Sequence, residues 1–177
     1  RSLFAHGIYT TESEYKRWAA SGASVIHCPT SNTFLGSGLF NASEYVSRNI
    51  NIGMGSDVGG GFSLNPFVTM SEAYKVARLG GKVLDPLQLV YWHTLGSAKA
   101  INQADVIGSL ESGKWADFCL IDITSDDIGF EVWERSRSVQ EKLFGLMFLL
   151  PDSSSRVVET YAGGISRWRD TSCLGSK

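Results

Sequence analysis

Short apolar segments alternate with helical patterns over the first half of the chain, and this alternation constrains the fold more than any other feature. The β-prone segments are residues 2–5, 23–28 and 50–54, and a helical pattern follows each of them. An order of strand, helix, strand and helix is typical of successive βα units with parallel strands. The sequence therefore predicts an α/β fold in which short strands are covered by helices.

Capping signals predict where the helices begin. At two sites a polar cap residue is followed by a glutamate three positions later, namely Thr11 with Glu14 and Asn41 with Glu44. At two others the cap residue directly precedes a proline, namely Asn65 before Pro66 and Asp85 before Pro86. We expect the first helix to end near Gly22, the third at Gly80 and the fourth near Gly96. Residues 29–40 are predicted to form a loop.

The pattern changes near residues 102–108, where we place a soft domain boundary. Beyond it the sequence predicts three strands, in residues 115–123, 157–162 and 165–168. It also predicts one helix, in residues 138–150. The last two strands would be joined at Gly163-Gly164. The predicted organisation is thus a series of βα units over residues 1–104, followed by a helix and a small sheet segment over residues 105–177.

Composition and charge restrict the class of partner. Of 177 residues 43% are hydrophobic and the net charge is −2, so we expect a packed core and no basic surface for nucleic acid or anionic membranes. The longest apolar run, residues 143–150, is far shorter than the ~18 residues of a membrane span. Cys28, Cys119 and Cys173 form no CxxC pair, which favours a reducing compartment, and we expect a cytoplasmic protein.

Residues that can carry chemistry follow the three predicted strands of the first half. His6 follows the first strand, His27 and Cys28 end the second, and Asp57 follows the third. Because the carboxyl ends of parallel strands lie at one edge of a sheet, we expect these side chains to converge. A histidine there suits metal ligation or proton transfer, since its pKa is near neutrality. Asp57, flanked by glycines that let a substrate approach, suits metal binding or proton acceptance.

Each of these residues also has a structural interpretation. His6 can be a core histidine bonded to a backbone carbonyl, and Asp57 can be a turn aspartate bonded to its own backbone. A structural role is favoured for His27, and nothing in the sequence indicates a lowered pKa for Cys28. His93 lies in a predicted helix and is expected to serve in packing or at the surface.

Seven segments, in this order and spacing, resemble the amidohydrolase superfamily. They are Ala5-His6-Gly7, His27-Cys28-Pro29-Thr30-Ser31-Asn32, Leu35-Gly36-Ser37-Gly38-Leu39-Phe40, Gly53-Met54-Gly55-Ser56-Asp57-Val58-Gly59-Gly60, Glu72-Ala73-Tyr74-Lys75-Val76, Thr94-Leu95-Gly96 and Gly113-Lys114-Trp115-Ala116-Asp117-Phe118. Adenosine, cytosine and triazine hydrolases share the Cys-Pro-x-Ser-Asn pattern of the second segment. Residues 35–40 and 58–60 look more like the guanine deaminases, and the sequence is identified as a member of that branch.

The resemblance implies a (β/α)8 barrel with a small β-sandwich built from both ends of the chain. The three strands here would be barrel strands six to eight, and residues from about 108 onward would belong to the sandwich. A whole barrel needs about 250 residues, and the family's His-x-His pair, third metal histidine and catalytic glutamate would lie upstream. Since the chain begins at Arg1 and contains no His-x-His, we expect the C-terminal part of an enzyme whose N-terminal half is either on a second chain or absent.

The resemblance also implies zinc-dependent hydrolytic deamination of guanine to xanthine and ammonia. Asp57 matches the position of the zinc-ligating aspartate, which would also accept a proton from the attacking water. His6 matches the strand-six histidine, which would polarise or hydrogen-bond that water. The family further implies a homodimer.

Two other interpretations stay open from the sequence. The chain can belong to another amidohydrolase that deaminates or dechlorinates a purine, pyrimidine or triazine ring, although the loop after Asp57 argues against it. It can also be a catalytically inactive fragment that acts only in assembly or interaction, because part of a barrel exposes strand edges and apolar faces.

Overall fold

A parallel sheet of three strands forms the centre of the first half of the chain. The computed structural model describes residues 2–123, 127–149 and 156–171. The strands are Leu3–Ala5 (β1), Ser24–His27 (β2) and Asn51–Met54 (β3), paired in the order β1-β2-β3. The predicted alternation of strands and helices is confirmed for this half.

Helices lie between these strands and after them. In chain order they are Glu12–Ser21 (α1), Pro29–Phe34 (α2), Ala42–Ser47 (α3), Pro66–Leu79 (α4), Pro86–Tyr91 (α5), Ser97–Ala100 (α6), Asp127–Arg135 (α7) and Val139–Leu149 (α8). A π-helical turn, Trp92–Gly96, joins α5 to α6. Three predicted caps are confirmed: Thr11 forms a capping box with Glu14, and Asn65 and Asp85 accept hydrogen bonds from backbone N–H groups in the first turns of α4 and α5.

The structure differs from the sequence predictions at α2, α3 and α7. Residues 29–34 form α2 rather than a loop, because Pro29 occupies the first helical position, where its missing N–H costs nothing. Asn41 precedes α3 as predicted, but its side chain makes no capping hydrogen bond. No element was predicted for α7, in which Gly129 lowers the intrinsic helix propensity.

The helix that begins at Pro86 does not end near Gly96, contrary to the prediction. It continues through the π-helical turn into α6, which ends at Ala100. A Cβ atom at position 96 would lie 2.5 Å from the carbonyl oxygen of Ile52 in β3. The glycine therefore allows close contact between helix and sheet, and does not stop the helix.

The hydrophobic core lies between one face of the parallel sheet and the helices. Val25 of β2 and Ile52 of β3 are buried in it, together with Tyr45 of α3. The hydroxyl of Tyr45 donates to the carbonyl oxygen of Gly7 at 2.7 Å, so this buried polar atom is satisfied. Met147 of α8 is fully buried in the same core, so the C-terminal helix packs onto the βα units.

A second, antiparallel sheet lies in the last third of the chain. Its strands are Phe118–Asp122 (β4), Arg156–Ala162 (β5) and Ile165–Arg169 (β6), in the order β4-β5-β6. The predicted join at Gly163 and Gly164 is confirmed as a turn between β5 and β6. Residue 150 of the predicted helix over 138–150, and Cys173, lie outside the described residues. Within the described ranges, no helix is both long and apolar enough to cross a bilayer.

Candidate active site

His6 and Asp57 lie together at the carboxyl edge of the parallel sheet. His6 directly follows β1, and its backbone N–H donates to the carbonyl oxygen of Ile26 in β2 at 2.9 Å. Asp57 follows β3 after Gly55 and Ser56. The Nε2 atom of His6 is 3.8 Å from Oδ2 of Asp57, and both side chains are partly exposed. The structure therefore brings together the two residues that were predicted to carry the chemistry.

Both residues have a backbone conformation that is uncommon outside glycine. The φ angle is 70° at His6 and 47° at Asp57, in the left-handed region. Such a conformation costs roughly 1–3 kcal/mol per residue and is concentrated at functional sites. Here it turns the chain sharply at the ends of β1 and β3. The two side chains consequently meet across the end of β2, which lies between those strands.

A tight turn holds Asp57 from its C-terminal side. The N–H groups of Gly60 and Gly61 both donate to the carbonyl oxygen of Asp57, at 3.1 and 2.6 Å. A Cβ atom at position 61 would lie 2.2 Å from the carbonyl oxygen of Ser56, so only glycine fits there. The hydroxyl of Thr30 in α2 donates to that same carbonyl at 3.1 Å. The loop that carries Asp57 is therefore anchored to α2.

Helix α2 contributes buried polar side chains for which the sequence analysis assigned no role. Thr30, Ser31 and Asn32 are each at most 1% exposed. Oδ1 of Asn32 lies 2.8 Å from Nδ1 of His6. Their signal in the sequence is a run of three hydrogen-bonding residues directly after a strand end, at the edge where the site was predicted.

Cys28 lies beside His6 and Asp57 but is not suited to be a nucleophile. One ligand atom from each of these three residues lies within 4.8 Å of the others. Burial, assisted by the nearby charge of Asp57, raises the pKa of the Cys28 thiol to about 11. The thiol is therefore protonated at neutral pH, and Sγ donates weakly to the carbonyl oxygen of Ile26 at 3.6 Å.

The donor atoms at this edge are compatible with a zinc ion but form only part of a site. Carboxylate oxygen and imidazole nitrogen are both zinc ligands, and a catalytic zinc normally has three protein ligands and one open position. Asp57 offers a partly exposed carboxylate, with His6 next to it. Over residues 2–123, 127–149 and 156–171, His6, Cys28 and Asp57 form the one group of three such side chains.

The other two histidines lie away from this group. His27 is 2% exposed and stacks on Phe40, with a ring separation of 4.3 Å, on the core side of β2. Burial lowers its pKa to about 3. His93 lies in the π-helical turn, where burial lowers its pKa, and lines an apolar cavity with Leu3 and Met54. The burial of His27 agrees with the structural role favoured for it.

The buried, neutral state of His27 predicts a loss of stability in acid. Its pKa is near 6.5 when unfolded and about 3 when folded, so the unfolded chain binds the extra proton between these values. Lowering the pH from about 7 to about 5 should reduce the free energy of unfolding by about 2 kcal/mol through this group alone. Urea titrations of the chain and of His27→Gln at both pH values measure the effect. An equal pH dependence in the two proteins would contradict the prediction.

Parallel α/β folds commonly carry their functional site at the carboxyl edge of the sheet, and His6 and Asp57 converge at that edge here. The sequence profile of the Amidohydrolase family matches residues 1–150. The chain therefore belongs to the amidohydrolase family, as its sequence motifs predicted.

Similarity to guanine deaminases extends over most of the chain. It is 38% identical to the guanine deaminase of Escherichia coli over 162 residues, which are 92% of this chain and 36% of that protein. The solved structure of E. coli guanine deaminase superposes with a TM-score of 0.90 at 37% identity, covering 96% of this chain and 39% of the other. An adenosine deaminase from Xanthomonas campestris with bound zinc matches with a TM-score of 0.78 at 26% identity, covering 97% and 39%. The chain thus spans little more than a third of the length of each of these proteins.

Proposed function

We propose that this chain is the C-terminal part of a zinc-dependent guanine deaminase, which hydrolyses guanine to xanthine and ammonia. Residues 1–104 would supply barrel strands six to eight, and residues 105–177 the C-terminal helix and the chain's share of a β-sandwich. The observation that carries the proposal is the approach of His6 Nε2 to Asp57 Oδ2, 3.8 Å apart at the carboxyl edge of the sheet. The guanine deaminase relatives supply the substrate class.

The chemistry assigns separate tasks to these two side chains. A zinc ion, when bound, lowers the pKa of water to roughly 7 and makes it a nucleophile at neutral pH. Asp57 would hold the ion through its carboxylate and accept the proton that the water gives up. His6 would hold the water by a hydrogen bond to Nε2. Oxygen then bonds to the ring carbon that bears the amino group, the C–N bond breaks, and Asp57 passes its proton to the departing nitrogen, which leaves as ammonia.

Exposed surface on β1 supports the proposal that an N-terminal half completes the barrel. Leu3 and Phe4 are 46% and 42% exposed, although they belong to a strand of the central sheet. Within the described residues β1 pairs with β2 alone. An open apolar strand edge favours addition of a further strand. We infer that upstream residues, in the same protein or on a separate chain, pair there and bring the remaining metal ligands. A cytoplasmic homodimer is proposed by analogy with the family.

The function is tested by measuring turnover of guanine to xanthine, with zinc content, on native protein that contains this chain. We expect guanine turnover with about one zinc per site, and no turnover by the 177-residue chain alone. Adenine, cytosine and a chlorinated triazine serve as competing substrates. Turnover of one of these instead of guanine would assign another amidohydrolase activity. Absence of all turnover and of zinc would indicate an inactive assembly module.

A further inference from the structure

We propose that Asn32 is a positioning residue that holds His6 in its Nδ1–H tautomer, so that the unprotonated Nε2 faces Asp57. This inference deepens the proposed function and rests on it for its catalytic meaning. Neutral imidazole carries one N–H, and which nitrogen bears it is set by the hydrogen bond that the ring makes. Asn32 is the side chain that makes this bond.

The geometry places an acceptor on Nδ1 of His6. Oδ1 of Asn32 lies 2.8 Å from Nδ1, which is the length of a good hydrogen bond. A carbonyl oxygen can only accept, so the proton of the pair must be on Nδ1. Asn32 is 1% exposed, and water therefore does not compete for this oxygen. One buried contact therefore favours the Nδ1–H tautomer of His6.

The position of Asn32 is itself held firmly by its own backbone and by its helix. Its N–H donates to the carbonyl oxygen of Cys28 at 3.0 Å, and its carbonyl oxygen accepts from the N–H of Ser37 at 2.8 Å. The bond from Thr30 to the carbonyl oxygen of Ser56 ties the same helix to the loop that carries Asp57. Helix α2 therefore contacts both His6 and the loop that carries Asp57. Asn32 could move only if these contacts changed.

The choice of tautomer decides what His6 can do toward Asp57. With the proton on Nδ1, Nε2 is an acceptor and can hold a water molecule by its O–H group. With the proton on Nε2, the ring would instead donate toward Oδ2 of Asp57, which is 3.8 Å away. In that form Nε2 could not accept a hydrogen bond from water. By fixing the proton on Nδ1, Asn32 therefore keeps Nε2 of His6 as a hydrogen-bond acceptor beside Asp57.

The tautomer can be read directly by nuclear magnetic resonance, without any activity measurement. The chain contains three histidines, so two-bond ¹⁵N–¹H correlation spectra of the imidazole rings are readily assigned by His27→Gln and His93→Gln variants. Spectra are recorded on the full 177-residue chain at about pH 9, above the ordinary pKa of about 6.5 for a free histidine side chain. We expect His6 to show a protonated Nδ1 and an unprotonated Nε2.

Variants at position 32 separate positioning from packing. Asn32→Leu keeps the size of the side chain but removes the acceptor, and should move His6 toward the Nε2–H form. Asn32→Asp keeps an oxygen at the same place and should retain the Nδ1–H form. Thr33→Val is the matched control, because the Thr33 hydroxyl donates to the carbonyl oxygens of Pro29 and Thr30 in α2, and it should leave the His6 signals unchanged.

The same variants make a kinetic prediction for the complete enzyme. Asn32→Leu should lower kcat for guanine by about 10- to 100-fold, as is usual for partners that orient reacting side chains, with KM nearly unchanged. Asn32→Asp should restore most of the loss. An Nε2–H form of His6 in the unmodified chain, or an unchanged tautomer in Asn32→Leu, would overturn the proposal. Because the spectra need no substrate, they remain decisive even if guanine is not turned over.

Discussion

Replacing Asp57 with asparagine should abolish guanine turnover by the complete enzyme while leaving the fold intact. The asparagine amide carries no negative charge, so it would bind a metal ion more weakly than the carboxylate. It also cannot accept a proton from water, so the general base would be lost. We expect kcat to fall by at least about 10³-fold, together with a loss of bound zinc. The fold should survive because the side chain is partly exposed and because asparagine tolerates the φ of 47° found at this position.

A matched substitution elsewhere in the chain controls for the chemical change itself. Asp85→Asn makes the same replacement at the cap of α5, where Asp85 accepts from the N–H of Leu87 at 2.8 Å. Asparagine caps helices as well as aspartate does, so this variant should retain full activity and zinc. Turnover is measured by xanthine formation and zinc by elemental analysis. Near-normal turnover in Asp57→Asn would reject the assignment of Asp57 as metal ligand and proton acceptor.

Removing the imidazole of His6 should cost about 10²- to 10⁴-fold in kcat, the range typical of a lost proton-handling group. His6→Ala deletes the imidazole whose Nε2 lies 3.8 Å from Oδ2 of Asp57. Alanine is strained at the φ of 70° found here, so His6→Asn provides a second variant that tolerates this backbone while lacking the ring. Both variants should show the loss.

His93→Ala is the control for the loss of a histidine, because His93 lies in the π-helical turn and outside the candidate site. It should change kcat little. Circular dichroism of each variant confirms that the fold is kept. A loss smaller than about tenfold in both His6 variants would assign His6 to packing rather than to proton handling.

Local sequence patterns predicted most of the elements because the interactions involved join residues a few positions apart. The caps at Thr11, Asn65 and Asp85 bond N–H groups two or three residues away, and each appears in the structure as expected. Gly96 was misinterpreted as a helix end, because a glycine is required there by close packing against the distant residue Ile52. Residues 29–34 were misinterpreted as a loop because they are mostly polar, although Pro29 at the first helical position is a local helix signal and the polar side chains are buried in the structure.

For the candidate site, the sequence determined which two residues meet. The ends of parallel strands share one edge, so His6 and Asp57 could be expected to converge, and the motifs around them identified the family.

Only the tertiary structure decided how that edge is built. It set the left-handed backbone at His6 and Asp57, placed Asn32 on His6 across 26 positions of sequence, and buried Cys28 so that its thiol stays protonated. The physical reason is that local propensity depends on near neighbours, whereas burial, hydrogen bonding between segments and shifted pKa values depend on which distant segments pack together.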